Sequence, residues 1–213
     1  MLGPPPQIIR SLIQAFPMGV TLADQDGWLP LHCACFYAAP SASIEALIEA
    51  HPNACQRKDD NGRMPLHHAC YKAAPDGVIE SLVRMGPKAA QSKDKNGRLP
   101  LHLACKKGIT KHALTILLKV YARGAAAKDD QEKLPVHHAC QSGSCSPAVV
   151  LALLDAHPES IHAKTAFGLT PHDEACQPKN GVNMDPIIEV LDRFRAEHDR
   201  LGISLYFSVL GFK

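Results

Sequence analysis

Aromatic residues are scarce, at 5% of the chain with a single tryptophan, so the buried surface must come from aliphatic and small side chains. Charge of one sign is also lacking. A net charge of +2 is too small to mark a nucleic-acid-binding domain by itself. No apolar run is long enough for a membrane-spanning helix. The opening Met1-Leu2-Gly3-Pro4-Pro5-Pro6 has no basic segment followed by an apolar core, so no signal peptide is expected there. No glycine-rich phosphate loop occurs. These absences point to a soluble intracellular protein, cytoplasmic or nuclear, without nucleotide chemistry.

What the chain does contain is repetition. The run Asn61-Gly62-Arg63-Met64-Pro65-Leu66-His67-His68-Ala69-Cys70 returns around Pro30, Pro100 and Pro135, and more weakly around Pro171. A fixed period near 35 residues is the mark of a stacked array, in which each unit buries its apolar face only against its neighbours. A second motif alternates with the first. The triplet Ile9, Leu12, Ile13 has the i, i+3, i+4 spacing of an amphipathic helix, and it recurs as Ile44, Leu47, Ile48 and on to Ile187, Val190, Leu191. The first copy lacks a preceding proline-histidine element. It is either a capping half-repeat or the remnant of a longer array.

Ser43, Asp76, Thr110, Ser146 and Asp185 stand where they can cap these second helices. His51-Pro52, Gly86-Pro87, Gly124 and His157-Pro158 are expected to end them. Asp, Asn and Gly in the stretch before each Pro-Leu-His run supply the chemistry of an exposed hairpin. Each unit therefore reads as hairpin tip, short helix, loop and longer helix. The expected division is a half-repeat 1–24, repeats 25–59, 60–94, 95–129, 130–165 and 166–199, and an apolar tail 200–213. In the tail, Ile203, Leu205, Phe207 and Val209 alternate like a strand, whereas Leu205, Val209 and Phe212 would share a helix face. The tail is expected to cover the open end of the stack; an anchor for a partner is the alternative.

The element order and the Asp-x-Asn-Gly-x-x-Pro-Leu-His-x-Ala signature resemble ankyrin repeats, whose hallmark is Thr-Pro-Leu-His-x-Ala. The resemblance implies an all-α helix-turn-helix solenoid with short β-hairpin tips. It also implies a structural histidine bonded to the turn backbone. Three departures stand out: Leu29, Met64, Leu99 and Leu134 replace the threonine that only Thr170 keeps; the period is about two residues longer; and Asp173 replaces the histidine in the fifth repeat.

Histidine and cysteine three residues apart, as in His67 and Cys70, invite a metal reading, but zinc needs three or four ligands converging on one point. Each repeat offers too few, so no metal or cofactor is expected. Catalysis is not expected either, because the Cys–His pairs are repeated and an active site needs one constellation with its own orienting group. Of the eight cysteines, those at 35, 70, 105, 140 and 176 share one repeat position. Neighbouring helix axes about 8–10 Å apart put them beyond disulfide reach, so they read as small buried apolar groups.

Function in a solenoid lies in the residues that vary on a fixed scaffold. By resemblance, contact residues are the tips and the ends of the first helices. That face is aromatic at Trp28, Phe36, Tyr37 and Tyr71, and basic at Arg63, Lys72, Lys95, Arg98, Lys106, Lys107 and Lys133. Aromatic and arginine side chains are those most enriched in interface hot spots. The expectation is a monomeric, non-catalytic interaction module that docks an acidic protein segment with an apolar anchor. Acidic neighbours such as Asp60, Asp129 and Asp130 count against single-stranded nucleic acid, and a metal- or thiol-dependent enzyme is the remaining rival.

Overall fold

A computed structural model describes residues 6–177 and 183–209, with side chains described up to residue 200. The expected packing of the apolar tail falls on side chains outside the described residues. The backbone there continues the last helix as far as Val209.

Eleven α-helices among the described residues form two layers. The first layer holds α2 (Pro30–Phe36), α4 (Pro65–Tyr71), α6 (Pro100–Lys107), α8 (Pro135–Ser142) and α10 (Pro171–Cys176). The second holds α1 (Pro6–Ala15), α3 (Ser41–Ala50), α5 (Asp76–Met85), α7 (Lys111–Val120), α9 (Pro147–Ala156) and α11 (Asp185–Val209). Within each layer every helix packs against the next of its kind, and α2 to α5 and α8 to α11 also pair across the layers. The fold is an all-α solenoid.

Each first helix opens on the repeated proline, whose fixed φ suits the first turn and whose missing N–H would be unsatisfied there anyway. The second helices bury their apolar stripe: Val78, Ile79, Leu82 and Val83 of α5 are all at most 5% exposed. Burying one such side chain is worth about 1.5–3 kcal/mol before the entropy of ordering is charged against it. Cys35, Cys70, Cys105 and Cys140 lie in the core with almost no exposure. Burial pushes the Cys70 thiol up to about 12, so it is an inert packing group. Cys176 departs from the expectation. It is exposed, and among the described residues no further first helix packs beyond α10.

The repeated histidine ties each first helix to the chain just ahead of the next tip. In α4, the Met64 backbone N–H donates to His67 Nδ1 at 3.1 Å. That bond leaves the proton on Nε2, which donates to the Ser92 carbonyl at 3.0 Å. His32, His102 and His137 repeat the arrangement onto Arg57, Ala127 and Ala163. The bond to the turn thus forms with Leu or Met in place of threonine, because a backbone amide rather than a hydroxyl supplies the donor. In the fifth repeat Asp173 takes over, accepting from the Thr170 N–H at 2.8 Å and from its hydroxyl at 2.7 Å. Burial lowers His67 and His102 to about 4, so both rings are neutral near pH 7.

Several local expectations change. The tips are tight turns, and no strand occurs among the described residues. Asp59 N–H bonds Arg63 O and Gly62 N–H bonds Asp59 O, while one bond, Asp60 N–H to Asp26 O, links successive tips. That is too few bonds for a ladder. Of the proposed caps, only Thr110 accepts from the helix, at Ala113 N–H, 3.0 Å. Ser43 lies inside α3 and is buried, Asp76 and Asp185 are the first residues of their helices, and Ser146 precedes α9 without a side-chain bond. Gly124 does not stop α7. That helix ends at Val120, and a 3-10 turn, Ala122–Ala126, follows it, as a similar turn follows α3, α5 and α9.

Candidate interaction surface

Each of the first four tips is built on one aspartate. Asp59 Oδ1 accepts from the N–H groups of Asn61 and Arg63 at 2.9 and 2.8 Å, which closes the turn. Asp24, Asp94 and Asp129 do the same in their tips, and Thr165 Oγ1 does so in the fifth. In the second, third and fourth tips the carboxylate is buried, so its second oxygen needs a donor too. His68 Nε2 serves Asp59 at 2.9 Å and His138 Nε2 serves Asp129 at 2.8 Å. The third repeat has Leu103 at the histidine's position. There Arg98 binds Asp94 at 3.0 Å and Arg63 reaches it from the preceding tip at 3.3 Å.

Two of the cations expected on a free basic stripe are therefore engaged. Arg63 and Arg98 share one buried carboxylate, and their side chains are 23% and 19% exposed. Burial works against the charge on Asp94, but the Arg98 amide and guanidinium outweigh it and hold the carboxyl below its usual range. Lys133 is placed differently from expectation: it is buried and paired with buried Glu174 at 2.9 Å, which removes it from the surface. Glu174 occupies the same repeat position as His68, and a short spacing rule cannot see a partner 41 residues away. Lys72, Lys95, Lys106 and Lys107 remain exposed.

The aromatic residues converge. Trp28 meets Phe36 edge-on at 5.0 Å between ring centroids and lies 4.6 Å from the His68 ring. Phe36 lies parallel to Tyr71 at 6.4 Å and edge-on to Tyr37 at 5.2 Å. Lys72 Nζ sits 4.2 Å above the Phe36 ring and Lys107 Nζ 4.6 Å above Tyr71. Trp28, Phe36 and Tyr71 are half-buried, whereas Tyr37 is 74% exposed. The Trp28 indole N–H has no hydrogen-bond partner. One face thus carries an aromatic patch edged by lysines across the first three repeats.

Sequence reading passed over a second apolar region. Leu12, Phe16, Met18 and Leu22 are exposed beside α1. A groove there is lined by Ile9, Ile13, Val20, Pro30 and Leu47. The signal was present in the missing first-layer partner of the first triplet. Phe167, exposed on the fifth tip, was also passed over because it stands in the degenerate repeat.

The family model for ankyrin repeats, in three copies, matches residues 71–165. That match supports the ankyrin-repeat reading of the array. No curated protein matches it. Ankyrin repeats are in general protein–protein interaction modules, and proteins built from them are typically scaffolds rather than enzymes. Among the described residues, no helix is long and apolar enough to cross a membrane.

Proposed function

We propose that the protein is a non-catalytic docking module whose first-helix face binds an acidic protein segment carrying an apolar anchor. The convergence of Trp28, Phe36, Tyr37 and Tyr71 under Lys72 and Lys107 carries this reading. The protein's core does not require four aromatic side chains at that surface, and such groups supply most of the energy of known interfaces. The anchor packs on Phe36, Tyr37 and Tyr71. Carboxylates of the segment pair with Lys72, Lys106 and Lys107, while Lys95 steers from the next tip. Arg63, Arg98 and Lys133 are already engaged and hold the scaffold that presents the patch.

Selection from a random peptide display library tests the reading, run in parallel on the native protein and on a Lys72→Glu, Lys106→Glu, Lys107→Glu variant. The native protein should enrich acidic peptides with an aromatic or branched apolar residue. Their binding should weaken steeply as salt rises and perturb the fluorescence of Trp28, the chain's one tryptophan. Identical peptides from both proteins, or binding indifferent to salt, would overturn it.

A further inference from the structure

Two histidines and an aspartate converge at the C-terminal end of the stack, well away from the aromatic patch. His162 closes the 3-10 turn Pro158–His162 that follows α9, and His198 and Asp199 are adjacent on α11. His162 Nε2 lies 3.2 Å from Asp199 Oδ1, and the His162 and His198 rings are 5.8 Å apart between centroids. One ligand atom from each of the three residues lies within 4.8 Å of the other two. We propose that these residues form a site for a divalent transition-metal ion, zinc first among them, which clasps the end of the fourth repeat to the last helix.

The distances suit such an ion. Ligand atoms at two corners of a tetrahedron with bonds of about 2.0–2.1 Å stand about 3.3 Å apart, close to the His162–Asp199 separation. The remaining approach needs only a rotation of the exposed His162 ring toward the half-buried His198. The donor set is selective as well. Two imidazoles and one carboxylate match zinc and its neighbours, whereas calcium and magnesium take all-oxygen shells. Phe194 lies one turn before His198 with its ring nearly parallel at 6.3 Å and 15°, which limits the orientations His198 can take. His162 and Asp199 are half-exposed, so water completes the coordination. No motif reveals the site in the sequence, because its ligands are 36 residues apart and come from different elements.

The His–Asp contact alone would also form as a simple ion pair, so the test must detect the metal itself. Cobalt(II) is titrated into the full protein and followed by absorption, with zinc competition and thermal unfolding alongside. One equivalent should bind with weak visible bands and no intense thiolate band in the near ultraviolet. Zinc should displace it and raise the unfolding temperature. His162→Ala and His198→Ala should each weaken binding at least tenfold with unchanged helical circular dichroism, and Asp199→Asn should weaken it less. No saturable binding would overturn the proposal, as would unchanged affinity in the double histidine variant. So would a thiolate band, which would place the metal at exposed Cys176 and His172.

Discussion

The third and fourth repeats fold the same tip around the same buried aspartate, yet they satisfy it from different places. In the fourth, His138 on the first helix bonds Asp129. In the third, Leu103 fills the helix position and two arginines, one from the preceding tip, bind Asp94. The requirement that persists is a partner for each oxygen of a carboxylate withdrawn from water, and the residue that meets it is free to move. Where histidine serves the aspartate, the tip cation turns to a different carboxylate: Arg63 reaches Asp94 and Lys133 pairs with Glu174.

Acid should dissect what the two repeats share from what distinguishes them, with the largest effect of any perturbation here. His67 and His102 titrate near 4 in the folded protein and near 6.5 unfolded, so the unfolded chain binds protons first. Their contribution is complete above about pH 6.5 and is lost as pH falls to 4, at about 1 kcal/mol per pH unit for each ring. The Asp129 carboxyl is held at about 2. Burial raises it, but the His138 bond and the Lys133 amide lower it by more, so its loss begins only below about pH 4. Urea denaturation across pH 7 to 3 should show the first window well before the second. A flat profile from 6.5 to 4 would mean the rings are not buried as neutral staples.

Exchanging the helix residues tests the contrast directly. His138→Leu strands Asp129 Oδ2 in the interior and should cost about 2 kcal/mol in chemical denaturation. Leu103→His gives Asp94 an additional donor and should change stability by less than about 1 kcal/mol, since lost apolar burial offsets the new bond. Equal costs in both would show that the tip carboxylates do not need their second partner.

The smallest effect concerns the fourth tip alone. Glu132 occupies the left-handed position that Gly27, Gly62, Gly97 and Gly168 hold elsewhere, with φ of 56°. Glu132→Gly should stabilise by about 0.5–1 kcal/mol by relieving that strain. The exposed Lys128–Glu132 pair it removes is worth little. A raised midpoint in thermal unfolding is the expected outcome.

The period, the two helices per unit and the buried cysteines were legible because each follows from local spacing repeated in register. The aromatic patch was legible in part for the same reason, since Phe36 and Tyr71 occupy corresponding places in neighbouring units. The fates of Arg63 and Lys133 were not. Whether a tip cation faces water depends on a carboxylate far along the chain, 31 residues on for Arg63 and 41 for Lys133. The expected cap at Ser43 failed for a nearer reason: α3 starts at Ser41, two residues earlier, which leaves the hydroxyl inside the first turn.

The histidine bonds give the array a grammar of succession. Every ring donates to a carbonyl at the end of its own repeat, just ahead of the next tip, whereas Lys58 and Lys93 reach one repeat on to the carbonyls of Lys93 and Lys128. The ring therefore fixes the point from which the next unit sets out, and the accepting side contributes only backbone to that bond. Units can diverge in side chain without losing this fixed point of departure. In the fifth repeat Asp173 turns back on Thr170 instead.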